Sequence, residues 1–136
     1  MKVQPQPPWG FRARVVKVHD GDSLFVLCDT GFGGRHEVEL RLLDVHAPEL
    51  HQLGGAEATA FVQKWIETVT AASQRTWPLW ISVLMTSTYE PNMRQTFTRY
   101  ACTVWSMDAR EAATDKSLNQ AVCEFLSQHP EWPTGL

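Results

Sequence analysis

The sequence predicts a mainly β domain of the α+β class, with five short strands and two helices. Three observations predict it: runs of alternating apolar residues, turn signals rich in glycine or proline after the early runs, and two segments with apolar side chains at helical spacing. With 136 residues, 43% of them hydrophobic, the chain can form one packed core. We therefore expect one domain at residues 11–128, with a proline-rich tail at residues 1–10 and a short tail at residues 129–136.

The first three strands are expected at residues 15–18, 24–28 and 38–42. Asp20-Gly21 is a hairpin turn signal between the first two strands, and a glycine-rich loop at residues 29–34 precedes the third. Strands in sequence order joined by short turns predict a meander.

A helix is expected to follow from residue 54 to residue 69, because its apolar side chains recur at helical spacing: Phe61, Val62, Trp65, Ile66 and Val69. Two further strands are expected at residues 79–85 and 100–105, separated by a polar loop. The last helix begins at Ser117, where Ser-x-x-Gln forms a capping box with Gln120. This order of elements predicts an OB-fold, a small Greek-key barrel that binds oligonucleotides and oligosaccharides.

Composition narrows the choice of partners and compartment. The formal net charge of −3 gives no global basic field, so phosphate binding requires a few placed Arg or Lys side chains. The three cysteines, Cys28, Cys102 and Cys123, form no CxxC pair, which favours buried free thiols in a reducing compartment. No apolar run reaches about 18 residues, and residues 1–9 lack an apolar signal core, so we expect an intracellular protein without a membrane span.

Four side chains near the predicted strand ends are candidates for chemistry. Asp20 and Asp22 flank a glycine, which suits a turn as well as a hard cation such as Ca²⁺. Arg41 interrupts an apolar strand, so it either points to solvent or holds an anion. Glu49, just after Pro48, either acts as a general base or caps the turn.

Three motifs occur together in a fixed order along the chain. They are Asp20-Gly21-Asp22-Ser23, the run from Arg41-Leu42 to Ala47-Pro48-Glu49, and Thr98-Arg99-Tyr100. In this combination the chain resembles the staphylococcal-nuclease-like (thermonuclease) family over about residues 12–127. The resemblance implies an OB-fold barrel and metal-dependent hydrolysis of phosphodiester bonds in DNA or RNA.

The resemblance also implies a role for each matching residue in the reaction. Glu49 would orient or deprotonate the attacking water. Arg41 and Arg99 would hold the phosphate and neutralise the charge that grows on its oxygens. Thr98 stands where the family has glycine before the second arginine.

The metal ligands implied by the resemblance are the Asp22 carboxylate and the main-chain carbonyl of Ala47, with Asp20 close by. His46 occupies the position of the family's second metal-binding aspartate, and Asp44 occupies a position where the family has glycine. A bulged strand end would bring Asp44 closer to the ion. Because imidazole is softer than carboxylate and neutral, His46 should weaken Ca²⁺ binding and favour Mn²⁺, Zn²⁺ or Ni²⁺.

Two functions follow from these residues. The first is a metal-dependent nuclease, and the second is a non-catalytic OB-fold module that binds nucleic acid or a protein partner. We expect DNA or RNA as the partner, single-stranded in preference, and a monomeric protein.

Overall fold

A computed structural model describes residues 9–83, 99–108 and 116–134, and of Trp9 and Arg99 it describes the backbone alone. Residues 84–98, which include most of the expected polar loop, lie outside the described residues. The described elements, in chain order, are β1 Trp9–Asp20, β2 Ser23–Gly31, β3 Gly34–Leu42, α1 Gly55–Ser73, β4 Leu79–Val83, β5 Arg99–Ser106 and α2 Leu118–Ser127.

The five strands close into a barrel in the order β1-β2-β3-β5-β4. β1, β2 and β3 form the predicted antiparallel meander, and β4 pairs antiparallel with both β5 and β1. The junction between β3 and β5 is parallel and runs from Glu39 opposite Arg99 to Leu42 opposite Cys102. The structure therefore confirms the predicted α+β class and an OB-fold-like barrel of five strands with two helices.

Successive side chains along a strand point to opposite faces of the sheet, so every second side chain points into the barrel. In β2, for example, Leu24, Val26 and Cys28 are buried, and Phe25 and Leu27 between them are half-buried. Most of the fully buried large side chains come from β2, β3, β4, β5 and the two helices: Leu24, Val26, Leu40, Leu42, Val62, Leu79, Ile81, Val104, Leu118 and Val122. The barrel interior is therefore the core of the domain.

Both predicted helices are present, and they pack on this core. In α1 the stripe at helical spacing is confirmed, since Val62 and Ile66 are buried and Trp65 packs against the core. At the start of α2 the Ser117 hydroxyl accepts a hydrogen bond from the Gln120 N–H at 3.1 Å, as the capping box predicts. Neither helix in the described ranges is both long and apolar enough to cross a membrane.

The strands extend beyond their predicted limits. β1 begins at Trp9, inside the stretch expected to be a tail, because Gly10 pairs with Ser82 of β4. The expected glycine-rich loop narrows to a turn between Gly31 and Gly34, in which Phe32 and Gly33 have φ of 55° and 77°. Positive φ at both central residues is what a tight hairpin between twisted strands requires, so the loop residues outside the turn are free to pair.

Asn119 joins α2 to the barrel next to the end of β3. Its side-chain oxygen accepts from the Val104 N–H at 3.0 Å, and its amide donates to the Leu43 and Cys102 carbonyls at 3.0 and 2.9 Å. The side chain is buried, so these groups have no easy exchange with water. Asn119 thereby fixes the point at which the chain leaves β3.

Replacing Asn119 by Ala should lower the free energy of unfolding by about 3 kcal/mol, because buried backbone groups lose their partners. Urea denaturation measures this change. The matched control is Gln120→Ala, since Gln120 is exposed and its amide bonds only Glu124 among the described residues. That change should cost about 0.5 kcal/mol or less. Equal losses in the two variants would contradict the structural role of Asn119.

Candidate functional site

The first, second and third strands bring their ends together at one end of the barrel. Asp20 pairs with Ser23 across the β1–β2 turn, and the Leu42 N–H donates to the Asp22 carbonyl at 2.8 Å. A Cβ on Gly21 would lie 2.7 Å from the Cβ of Ala47 and 2.8 Å from that of Ala58. Glycine is therefore needed there, because the turn lies directly against the loop after β3 and against α1.

The Asp22 carboxylate is the central acceptor of the site. Its Oδ2 lies 2.8 Å from Nη1 of Arg41 and accepts the Ala47 N–H at 3.1 Å. Its Oδ1 accepts from the Ser23 hydroxyl at 3.2 Å. With 10% of the Asp22 side chain exposed, this carboxylate holds the turn, the end of β3 and the following loop together.

Arg41 is held from three sides. Besides Asp22, its Nη1 donates to the Val45 carbonyl at 2.7 Å, and its Nη2 lies 3.4 Å from Nδ1 of His46. A guanidinium has five N–H donors, and described residues engage three of them. Two donors are left for a ligand on a side chain that is 25% exposed.

Two carboxylates share this end of the barrel with a single guanidinium among the described residues. The pKa of Asp22 is raised to about 6, mainly by burial and then by hydrogen bonding and charge repulsion from Asp20, against the lowering effects of Arg41 and the Ala47 N–H. Asp20 also accepts the Asp22 N–H at 3.1 Å through Oδ1. Asp22 is therefore ionised at neutral pH but takes up a proton in mild acid.

Glu49 lies in the loop that connects β3 to α1, on the solvent side. Its N–H donates to Oε1 of Gln52 at 2.7 Å, and the Gln52 N–H donates to the Glu49 carbonyl at 2.8 Å. Its carboxylate is 53% exposed, with the His51 ring 3.6 Å away. The backbone of Glu49 is thus fixed, and its side chain is accessible to water.

Trp132 packs against the end of this loop. The sequence predicted only a tail at residues 129–136, so this contact was not expected. Its indole lies so close to Gly54 that a Cβ there would approach within 2.2 Å of the ring. The ring also stacks on His129, with centroids 3.9 Å apart and an angle of 3° between planes. The Gly54-Gly55 pair was the available signal, because glycine at a helix start permits such a close approach.

The other predicted site residues lie in different surroundings. Asp44 has φ of 62°, which explains why glycine suits this position. Its carbonyl lies 3.7 Å from the Cys123 thiol of α2, so its contacts are with that helix. Arg99 begins β5 opposite Glu39, but its side chain lies outside the described residues.

The described side chains do not form a metal site in this arrangement. No group of three His, Cys, Asp or Glu side chains in residues 9–83, 99–108 and 116–134 is placed to hold an ion. Oδ2 of Asp22 already has two donors, and Nδ1 of His46 faces a guanidinium. The expected Ca²⁺ or Mn²⁺ at Asp22, His46 and the Ala47 carbonyl stays a prediction.

No model of a known protein family matches the sequence, and no curated protein matches it. The membership of the nuclease-like family that the motifs predict therefore stays a prediction. What the motifs and the geometry have in common is one cluster, Asp20, Asp22, Arg41 and His46, with Glu49 in the adjoining loop.

The raised pKa of Asp22 predicts a specific dependence of stability on pH. Between 3.8, its ordinary value, and about 6, the folded protein binds a proton at Asp22 that the unfolded chain releases. The contribution of protonated Asp22 to the free energy of unfolding is therefore fully present below pH 3.8, and it is lost as pH rises through about 6. We expect Asp22→Asn to gain about 1–2 kcal/mol relative to the wild type over this range, after allowance for solvent screening.

Urea denaturation at a series of pH values measures the difference between the two proteins. Glu57→Gln is the matched control, since Glu57 is an exposed acid in the first turn of α1. A difference between Asp22→Asn and wild type that stays constant from pH 3 to pH 8 would show that Asp22 titrates normally.

Proposed function

We propose that this protein hydrolyses phosphodiester bonds of DNA or RNA at the end of the barrel formed by Asp22, Arg41 and Glu49. The observation that carries the proposal is the arrangement of Arg41. The Asp22 carboxylate and the Val45 carbonyl hold its guanidinium in place, and two N–H donors remain for an anion. A prepositioned guanidinium matches the geometry of a phosphate and stays charged at every working pH.

The reaction needs a base and a group that stabilises charge. Glu49 takes a proton from water as the water oxygen bonds to phosphorus and the bond from phosphorus to the leaving oxygen breaks. Arg41 donates hydrogen bonds to the non-bridging oxygens, on which negative charge grows. Since Asp22 already fixes Arg41, little reorganisation is needed when the phosphate binds.

A second function is favoured by a different observation. The Asp22 carboxylate is engaged by Arg41 and by the Ala47 N–H, which leaves it poorly placed to bind a cation. In that case the same guanidinium binds the backbone of a nucleic acid without cutting it. In both functions the protein binds single-stranded DNA or RNA. Only the first function yields cleaved nucleic acid.

Glu49→Gln should lower the rate of cleavage by about 100-fold or more, because the amide cannot take a proton from water. The assay uses single-stranded DNA and RNA with EDTA, Ca²⁺, Mn²⁺ or Mg²⁺, so that it also measures the predicted metal requirement. The matched control is Glu57→Gln, which should cut like wild type. Absence of product with every metal, at high protein concentration, would leave the binding function in place of hydrolysis.

The identity of residue 46 is predicted to control affinity for calcium. His46→Asp should strengthen Ca²⁺ binding, because it adds an anionic oxygen beside Asp22 and Arg41. Isothermal calorimetry measures the affinity. The control is His51→Asp, which adds the same charge to an exposed position in the same loop. Equal affinities in both variants would show that residue 46 is not a metal ligand.

A further inference from the structure

A second cluster of cationic side chains lies on the outside of the barrel, away from Asp22. The guanidinium carbons of Arg14, on β1, and Arg35, on β3, lie 5.1 and 5.7 Å from the centre of the Trp77 ring. Two like charges therefore converge on one half-buried indole. A guanidinium held against an aromatic ring is partly ordered, and its N–H groups can still donate to an anion.

The charge of this cluster is not neutralised by the ion pairs of the described residues. Those ion pairs join Arg12, not Arg14 or Arg35, to the neighbouring Asp29. The Gly31 N–H lowers the pKa of Asp29 most, and Arg12 and Arg35 lower it as well, so that this carboxylate is ionised between the two arginines. Arg12, Asp29 and Arg35 form one cross-strand row, and Arg14 lies in the next row with Leu27 and Glu37. Three arginines therefore face two acids here, in a protein whose net charge is −3.

Aromatic side chains continue across the same face of the barrel. Trp105 pairs with Trp80, and Trp80 pairs with Arg12, so the three share one row outside the barrel. Their neighbours along the strands, such as Ala13, Ile81 and Val104, point inward and are buried. A groove of about 520 Å³ between β1 and α1 is lined by Arg14 and Arg75 and by one acid, Glu67. Arginines interleaved with aromatic rings are typical of surfaces that bind single-stranded nucleic acid.

We propose that Arg14 and Arg35, ordered by Trp77, form a second binding site for the phosphate groups of a single-stranded nucleic acid. This proposal rests on the proposed function for the identity of the ligand, and it extends the contact with that ligand beyond Arg41. Arg35 and Arg41 lie on the same face of β3, six residues and therefore about 20 Å apart. A single strand that follows β3 would contact both arginines.

Two acidic residues, Glu37 and the buried Glu39, lie on this path, and the exposed one offers a test. Glu37 is exposed and lies on the same face of β3 between Arg35 and Arg41. Its carboxylate should repel a phosphate backbone. Removing its charge should therefore strengthen binding, whereas removing a charge from Arg14 or Arg35 should weaken it.

Fluorescence anisotropy with a labelled oligothymidylate of about 16 nucleotides tests the site. The titrations use the Glu49→Gln protein in EDTA at several salt concentrations, so that cleavage does not contribute. The Arg14→Gln/Arg35→Gln double variant should bind about tenfold more weakly at low salt. The slope of log affinity against log salt concentration should be smaller in magnitude by about 1.4 for this variant. That is about 0.7 for each of the two phosphates that it no longer neutralises. Glu37→Gln should bind more tightly.

Lys64→Gln is the matched control, since it removes an exposed positive charge from α1. A double variant that binds with the affinity and salt slope of Lys64→Gln would overturn the proposal. Displacement of the oligonucleotide by polyglutamate of equal charge, as effectively as by unlabelled oligothymidylate, would assign the site to an acidic protein instead. Undiminished cleavage by Glu49→Gln would contradict the proposed role of Glu49 as the base and leave this binding result unaffected.

Discussion

The buried carboxylate of Asp22 is the interaction on which the site depends. It accepts hydrogen bonds from the β1–β2 turn, from the loop after β3 and from Arg41, so three separate segments meet at one anion. Burial makes this arrangement costly, as its raised pKa shows. A group that lowers stability while ordering a cationic side chain is typical of a binding or catalytic site, where stability is given up for function.

The barrel was largely predictable because alternation of apolar residues is a local property of the sequence. Residues 24–28 and 38–42 show it directly, and Asp20-Gly21 marks the turn between the first two strands. The strand ends were less predictable. Gly10 pairs with β4, a partner distant in the sequence, and the β2–β3 pairing continues to Gly31 and Gly34, which leaves only Phe32 and Gly33 in the turn. Pairing across the barrel overrides local composition at those positions.

The order of the motifs identified the residues of the candidate site, but it did not predict which of these residues contact one another. Asp22, Arg41 and His46 do lie together, whereas Asp44 contacts α2 instead. Asn119 and the cluster of Arg14, Arg35 and Trp77 could not be found from spacing. Each of these contacts joins elements that are far apart in the chain, so it exists only after the barrel has closed.

The contact of Trp132 with Gly54 links two segments that are separated by most of the length of the chain. During synthesis on the ribosome, β1, β2, β3 and α1 emerge well before residue 132. The loop that carries Glu49 must therefore wait for its last supporting ring until that late segment has left the exit tunnel. A nascent chain would consequently complete β1, β2, β3 and α1 before the loop that carries Glu49 gains its contact with Trp132.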